Sequence, residues 1–153
     1  MPKISVIMPV YDGELFVQQA IDSLLAQSFQ GWELIVVDDG SKDRTPQILE
    51  QYTDQRITVI RQANRGEAGA RNTGMRHMTG EYMAFLDADD TWEARKLEKQ
   101  IAVFNSDPEV GLVHCGMREF DDETGETIAT HLHGAEGWMA DAKEAIVINL
   151  RLG

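Results

Sequence analysis

The chain has 153 residues and a formal net charge of −12, from 26 acidic and 14 basic side chains. This length suits about one domain, which buries roughly 68–70% of the surface that its unfolded chain exposes. The acidic balance argues against nucleic acid or an anionic membrane surface as a partner, because both bind clustered lysines and arginines.

The cysteine and hydropathy patterns predict a cytoplasmic protein. Cys115, the single cysteine, cannot form an internal disulfide, and we interpret it as a small core residue in a reducing compartment. No apolar run approaches the ~18 residues of a membrane span, and the N-terminus lacks a signal-peptide pattern. We expect no membrane span in this segment, although other parts of a full-length protein could place it at the inner membrane face.

The first part of the chain alternates between strand and helix patterns. Residues 3–10 are predicted to form a buried strand, and apolar side chains at helical spacing follow over residues 16–27. Residues 33–37 and 57–60 give a second and a third strand. This alternation predicts a doubly wound α/β fold, in which helices cover both faces of a mostly parallel sheet.

Two further helix starts are predicted from local signals. Thr45 and Pro46 read as a cap and a first-turn proline, which predicts a helix to about Thr53. Thr91 and Trp92 open another helical pattern. Its apolar face consists of Leu97, Ile101 and Phe104.

The segment 62–74 is rich in very small residues, with glycines at 66, 69 and 74 and alanines at 68 and 70. Such residues let the backbone approach a neighbour or a ligand closely. Arg65 and Arg71 are cations in an otherwise acidic protein, and a diphosphate could use one of them. The alternative is that the small residues serve helix-to-sheet packing and that both arginines are solvated.

A buried strand over residues 82–86 ends at three carboxylates, those of Asp87, Asp89 and Asp90. Ligands of open α/β sheets bind beyond the carboxyl ends of the strands, where the strand order reverses. Two carboxylates one residue apart can hold Mg²⁺ or Mn²⁺ and leave positions free for substrate phosphates and water. The alternative is a polar turn before the next helix. The second strand also ends in acids, at residues 38–39, and this match favours the metal.

The rest of the chain predicts a further buried strand over residues 110–115 and a hairpin over residues 117–130, with a turn at residues 122–125. A helical pattern over residues 138–152 follows. The sequence contains no linker or repeat. We therefore expect one domain over residues 1–153. Because the ending lacks a cap or a polar tail, we expect this domain to belong to a longer protein.

Four motifs in this order and spacing resemble the family 2 glycosyltransferases. They are Val6-Ile7-Met8-Pro9-Val10-Tyr11, Val36-Val37-Asp38-Asp39-Gly40-Ser41, Asn64-Arg65-Gly66 with Ala70-Arg71-Asn72-Thr73-Gly74, and the run from Gly80 to Asp90. The resemblance covers roughly residues 3–105, and the combination is highly specific. It implies a GT-A fold, a nucleotide-sugar donor, a divalent metal (Mn²⁺ or Mg²⁺), and transfer with inversion to an acceptor hydroxyl.

The resemblance also implies a nucleoside site. Asp39 matches the family's base-recognising acid, which usually faces uracil. Pro9, Val10 and Tyr11 match positions beside the nucleoside, and Arg71 matches a motif residue near the nucleotide. The expected donor is therefore a UDP-sugar.

On the diphosphate side, the resemblance matches Asp87, Ala88 and Asp89 to the family's D-x-D motif. Asp89 is then the direct metal ligand, and Asp87 contacts the ribose, the metal or metal-bound water. Asp90, like Asp38, could instead be only a turn or helix-cap residue. For Glu14, a helix-start role is expected rather than catalysis.

The catalytic base remains unassigned. The resemblance places it in a second half of the enzyme, beyond Gly153, so we expect a donor-binding domain truncated before the acceptor-binding half. The whole enzyme is expected to serve polysaccharide, lipopolysaccharide or glycoconjugate synthesis. The isolated chain could be inactive.

Two other functions stay open. A nucleotidyltransferase also binds nucleotides and metal on an α/β sheet, but its first strand is usually followed by a glycine-rich basic loop, whereas residues 11–14 are short and acidic. A non-enzymatic Mg²⁺-binding receiver module needs an acidic pair after the first strand and a lysine after a late strand. This chain has Pro9-Val10-Tyr11 and Gly116-Met117 at those places.

Overall fold

The computed structural model describes residues 3–121 and 124–131. Its strands are β1 (Ile4–Val10), β2 (Trp32–Asp38), β3 (Ile57–Arg61), β4 (Tyr82–Phe85), β5 (Met117–Phe120) and β6 (Thr127–His131). Its helices are α1 (Val17–Leu25), α2 (Thr45–Leu49), α3 (Gly66–Met75) and α4 (Lys96–Ser106). Within the described ranges, β1 to β4 form one parallel sheet in the order β3-β2-β1-β4.

Strand β1 lies at the centre of the sheet, and all of its residues are buried. Ile4, Val6 and Met8 pack in one cluster with apolar residues of α1, α2 and α4. On the opposite face, Ala70 of α3 packs against Ile35 of β2. Helices therefore cover both faces, as predicted. Helix α1, which follows β1, covers one face of the sheet, and helix α3, which precedes β4, covers the other. The strand order reverses at β1, so the carboxyl edge beside β1 is the topological switch point.

Gly74 of α3 shows why the segment before β4 needs small residues. A Cβ on Gly74 would lie 2.5 Å from Cγ2 of Ile7 in β1. The side chain of Ile7 is fully buried. The helix therefore packs directly onto the central strand. This geometry confirms the packing interpretation for Gly74, and Ala70 packs on the sheet as well, whereas nothing lies within 4 Å of a Cβ on Gly66.

We expect Gly74→Ala to lower the free energy of unfolding by about 1–2 kcal/mol in urea denaturation. Overpacking costs ~1–3 kcal/mol, and alanine's better helix propensity offsets up to ~1 kcal/mol of it. Asn72→Ala, on the exposed side of the same helix, is the matched control and should be neutral or slightly stabilising. Equal stability of Gly74→Ala and the unaltered chain would contradict this account of the packing.

Two helix predictions are corrected. Helix α2 ends at Leu49 rather than near Thr53, and Thr45 lies inside it without capping it. The Thr45 hydroxyl instead accepts a hydrogen bond from the backbone N–H of Gly13. Helix α4 begins at Lys96 rather than at Thr91, because the backbone N–H of Trp92 donates to the Ser23 hydroxyl of α1 instead of starting a turn.

The predicted strand over residues 110–115 is wrong, since none of these described residues is in a strand. Val110 and Val113 pack against the core and Cys115 is buried, but Leu112 is 44% exposed. The apolar run packs without ladder hydrogen bonds, and apolar runs alone do not distinguish such packing from a strand.

The predicted hairpin is confirmed, with β5 and β6 antiparallel. The helix predicted over residues 138–152 lies outside the described residues. None of the described helices has the length and hydrophobicity that a membrane span requires.

Candidate functional site

Two loops at the carboxyl edge of the sheet exchange hydrogen bonds in both directions. We call residues 11–14, after β1, and residues 41–45, after β2, the loop pair. Backbone N–H groups of the first loop donate to side chains of the second: Asp12 to Ser41 Oγ (3.0 Å), Gly13 to Thr45 Oγ1 (2.9 Å) and Glu14 to Asp43 Oδ2 (2.9 Å). In return, Lys42 N–H donates to Asp12 Oδ1 (2.7 Å) and Arg44 N–H to Glu14 Oε2 (2.9 Å). Glu14 thus joins the two loops. It was predicted to mark the start of a helix, but its contacts give it this loop-joining role instead.

The loop pair presents Tyr11 at the edge of the sheet. The Tyr11 side chain is 46% exposed, although the neighbouring Pro9 and Val10 are buried. The carbonyl of Val10 accepts the N–H of Asp39 at 2.8 Å, which joins the ends of β1 and β2. Asp12 has a φ of 50°, a left-handed conformation that aspartate tolerates better than most residues. The structure therefore holds an aromatic ring next to the end of β2.

Asp38 and Asp39 leave β2 on opposite faces of the sheet, because successive side chains of a strand alternate. The Asp38 carboxylate accepts the N–H of Ser41 at 2.8 Å and lies 3.3 Å from the Arg61 guanidinium. Asp38 is therefore a buried residue that holds the turn after β2. This agrees with the alternative that Asp38 is only a turn residue. Asp39 faces the α3 side, where its carboxylate accepts Gln62 Nε2 at 2.6 Å and the backbone N–H of Arg65 at 2.9 Å.

Arg71 joins α3 to the end of β4. Its Nη2 lies 2.7 Å from Asp87 Oδ1 and 2.5 Å from Glu67 Oε1, and its guanidinium lies 5.3 Å from the centre of the Phe85 ring. Its Nε is buried and has no hydrogen-bond partner among the described residues. Arg71 is thus an ion-paired residue of the candidate site. The alternative prediction, in which both arginines of this segment are solvated, is wrong for Arg71. The side chain of Asp87 is still 46% exposed.

The turn after β4 continues through Ala88 and Asp89 to Asp90, whose N–H donates to the carbonyl of Asp87 at 3.1 Å. A Cβ on Gly13 would lie 3.9 Å from the Cβ of Ala88, so this turn approaches the first loop of the loop pair. Asp89 is exposed. Local desolvation, together with the charges of Asp87 and Asp89, raises the pKa of Asp90. The turn thus carries negative charge that the protein does not fully neutralise.

The donor set fits a divalent cation of the Mg²⁺ or Mn²⁺ type. Among the described residues, no group of three or more acidic, histidine or cysteine side chains is arranged to hold a metal ion. Mg²⁺ sites often use only one or two carboxylates, with substrate phosphates and water completing the coordination. Asp89 is exposed, and Asp87 is shared with Arg71. A metal here would therefore depend on a phosphate ligand.

Lys96, at the start of α4, is only 3% exposed, and its burial was not predicted from the sequence. Its Nζ lies 4.1 Å from the centre of the Trp92 ring and 3.5 Å from Gln100 Oε1. Burial lowers the pKa of Lys96 to about 7, although electrostatic interactions with Cys115 and Asp90 act in the opposite direction. A signal was present, because residues 96, 100 and 104 share a helix face by their spacing, and Phe104 was already assigned to the core.

The ends of the three strands place these residues along one edge. Strands β2 and β4 are the two neighbours of β1, and adjacent strands lie about 4.8 Å apart, so Asp39 and Asp87 follow strand ends roughly 10 Å apart. Asp39, Arg71 and Asp87 all lie on the α3 side of the sheet. Asp39, Arg71 and Asp87, which were predicted for the nucleoside and the diphosphate, thus lie along one edge of the sheet.

Comparisons of the sequence and of the structure with known proteins both identify glycosyltransferases. The chain matches Glycosyl transferase family 2 over residues 5–149. It is 43% identical over 101 residues to the Escherichia coli UDP-Glc:alpha-D-GlcNAc-diphosphoundecaprenol beta-1,3-glucosyltransferase WfgD, covering 65% of this chain and 40% of that enzyme. The chain spans less than half the length of the curated relatives that it matches.

Solved structures agree with this match. The mannosyltransferase PcManGT from Pyrobaculum calidifontis, in complex with GDP-Man and Mn²⁺, has a TM-score of 0.67 and 34% identity, covering 74% of this chain and 35% of that one. S. aureus TarS in complex with UDP-GlcNAc has a TM-score of 0.63 and 32% identity, covering 68% of this chain and 31% of that one. These neighbours are GT-A fold glycosyltransferases, which confirms the predicted fold. The chain therefore belongs to glycosyl transferase family 2.

Proposed function

We propose that the chain forms the donor-binding part of a glycosyltransferase. The donor is a UDP-sugar, and the sugar passes to an acceptor hydroxyl with inversion, in the synthesis of cell-envelope polysaccharide. One observation carries the proposal: the Arg71–Asp87 ion pair and the buried carboxylate of Asp39 flank the end of β1 on the same side of the sheet. The similarity to WfgD supports UDP as the nucleotide and a lipid-linked sugar as the acceptor.

The nucleoside half of the site is formed by Asp39 and Tyr11. The Asp39 carboxylate accepts two donors from its own chain and has acceptor capacity left, because an ionised carboxylate offers about four lone-pair sites. It can therefore accept the ring N–H of uracil. The half-exposed ring of Tyr11 offers a face against which the base can stack.

The diphosphate half is formed by Asp87, Asp89 and Arg71. Asp89 would hold the divalent metal, Mn²⁺ or Mg²⁺, while Asp87, oriented by Arg71, would contact the ribose or the metal's water. A metal bound there supplies Lewis-acid stabilisation of the charge that develops on the departing diphosphate, worth several kcal/mol. Arg71, which pairs with Asp87, would lie near a diphosphate held there and would stabilise that charge. We assign the acceptor's general base to none of the described carboxylates.

Calorimetric titration of the chain with UDP, first in Mn²⁺ and then with the metal chelated, tests this proposal. We expect UDP to bind in Mn²⁺, to bind at least tenfold more weakly after chelation, and to bind more tightly than GDP or ADP. Tighter binding of GDP would overturn the UDP assignment alone. Absence of binding by all three nucleotides would overturn donor binding by this chain.

Membership of family 2 and the first-strand end Pro9-Val10-Tyr11 favour this function over a receiver module. The receiver alternative predicts that a small phosphodonor such as acetyl phosphate phosphorylates an aspartate. We expect no mass increase after that treatment in Mg²⁺.

A further inference from the structure

Gln62, the first residue after β3, is held between the end of β2 and helix α3. Its backbone N–H donates to the carbonyl of Asp38 at 2.9 Å, which fixes its main chain beside the end of β2. Its side-chain Nε2 donates to Asp39 Oδ1 at 2.6 Å, and its Oε1 accepts the hydroxyl of Thr73 at 2.7 Å. Gln62 therefore bridges the carboxylate of the nucleoside half and a helix that packs on the central strand.

The orientation of the Gln62 amide follows from its two partners. An ionised carboxylate only accepts hydrogen bonds, so the N–H₂ group faces Asp39 and the amide oxygen faces Thr73. The Thr73 hydroxyl also lies 3.1 Å from the carbonyl of Gly69, but its contact with Gln62 is the shorter one. A reversed amide would set its oxygen against the carboxylate. Thr73 thus holds Gln62 as a donor toward Asp39.

The hydrogen bonds of Asp39 are divided unequally between its two oxygens. Oδ1 accepts Gln62 Nε2 at 2.6 Å and the N–H of Arg65 at 2.9 Å, so both of its lone pairs are used. Among the described residues, Oδ2 accepts only the same Arg65 N–H, at 3.0 Å. One acceptor position therefore remains, and it belongs to Oδ2.

Nucleobases differ in the number of donors that they direct at a carboxylate. Uracil has one ring N–H between two carbonyl groups, and a single free acceptor satisfies it. Guanine has a ring N–H and an adjacent amino group that point the same way, so a carboxylate pairs with them through both of its oxygens. A donor that is buried without an acceptor costs binding free energy. A carboxylate with one free acceptor position therefore favours uracil over guanine.

We infer that Gln62 is a specificity-determining residue, which favours uracil over guanine by occupying the Asp39 oxygen that the guanine amino group would need. Thr73 is a positioning residue, because it keeps the Gln62 amide turned toward Asp39. The inference rests on the function proposed above and deepens it, since it assumes that Asp39 contacts the base of the donor.

The experiment compares UDP, GDP and inosine diphosphate by calorimetry in Mn²⁺, with competition against UDP where a nucleotide binds weakly. The base of inosine diphosphate has the ring N–H of guanine but lacks its amino group, so the ratio of GDP affinity to inosine diphosphate affinity isolates that group. In the unaltered chain this ratio should be one or lower. We expect Gln62→Met to raise the ratio about tenfold, because the amino group gains a charged acceptor.

Further variants test whether the effect passes through Asp39. Thr73→Val removes the hydroxyl but keeps the shape, and it should raise the ratio in the same direction, whereas Thr73→Ser should not. Gln62→Met combined with Asp39→Asn should show no rise, because the charged acceptor is gone. Gln47→Met makes the same chemical change at an exposed position of α2 and should leave all three affinities unaltered.

A purely structural role for Gln62 predicts that Gln62→Met weakens all three nucleotides together and leaves the ratio unchanged. That result would overturn the inference, as would undetectable binding of both purine nucleotides by this variant. Tighter binding of GDP than of inosine diphosphate by the unaltered chain would refute it as well, and this comparison requires no variant to fold. Absence of binding by every nucleotide would overturn the proposed function, whereas UDP binding with an unchanged ratio would overturn the inference alone.

Discussion

Asp89→Asn should weaken Mn²⁺-dependent binding of UDP by about 100-fold or more, the largest effect expected of any substitution in this chain. Residues that merely orient ligands change metal affinity 10–100-fold, so loss of a direct ligand should reach the upper end of that range or exceed it. The site has few protein ligands to compensate, because Asp87 is already shared with Arg71. Calorimetry with UDP in Mn²⁺ measures the effect.

Controls separate metal binding from folding. Asp89 is exposed, and asparagine relieves its repulsion with Asp90, so the thermal midpoint should be unchanged or slightly raised. UDP binding measured with the metal chelated should also be unchanged. Glu50→Gln, which removes an exposed charge at the end of α2, should leave both measurements unaltered. Full metal-dependent affinity in Asp89→Asn would remove Asp89 from the site.

Asp39→Asn should weaken UDP binding about 10–100-fold and reduce the preference for UDP over GDP and ADP. The substitution removes a charged acceptor, whose hydrogen bonds contribute about 1.5–3 kcal/mol, and its amide N–H₂ would face the donors Gln62 and Arg65. The loss should appear both with Mn²⁺ and after chelation, because the base contact does not involve the metal. This metal-independence distinguishes Asp39→Asn from Asp89→Asn in the same titrations.

Asp38→Asn is the matched control for Asp39→Asn. Both carboxylates are buried at the end of β2, but Asp38 leaves the strand on the opposite face and bonds the turn at Ser41. Its substitution should lower stability while preserving the preference for UDP. Equal loss of that preference in both variants would show that Asp39 acts only by holding its loop.

The sheet and the edge that carries the site were predictable because strand periodicity determines both. The pair Asp38-Asp39 follows the apolar run 34–37, and Asp87 follows the apolar run 82–86, as is typical of central parallel strands. Carboxyl ends of parallel strands meet at one edge, so the clustering of these acids follows from local patterns. The Arg71–Asp87 pairing did not follow, since it depends on how α3 packs on β1 through Gly74.

The errors share a cause, because tertiary contacts override local signals. Thr45 has the composition of a helix cap but bonds the loop after β1. Residues 110–115 have strand composition but do not join a sheet. Lys96 lies on the buried face of α4 although its side chain is charged, and charged side chains usually mark exposed positions.

The reciprocal hydrogen bonds of the loop pair have a consequence for engineering donor specificity. Each loop supplies both donors and acceptors to the other, so neither keeps its conformation when its counterpart changes length or composition. A chimaera that imports only residues 11–14 from a relative would lose the two contacts that use the Asp12 and Glu14 side chains, and a change in loop length would also displace the three backbone donors. The two loops therefore form one exchangeable module, and grafts of nucleotide preference between family members should carry both segments together.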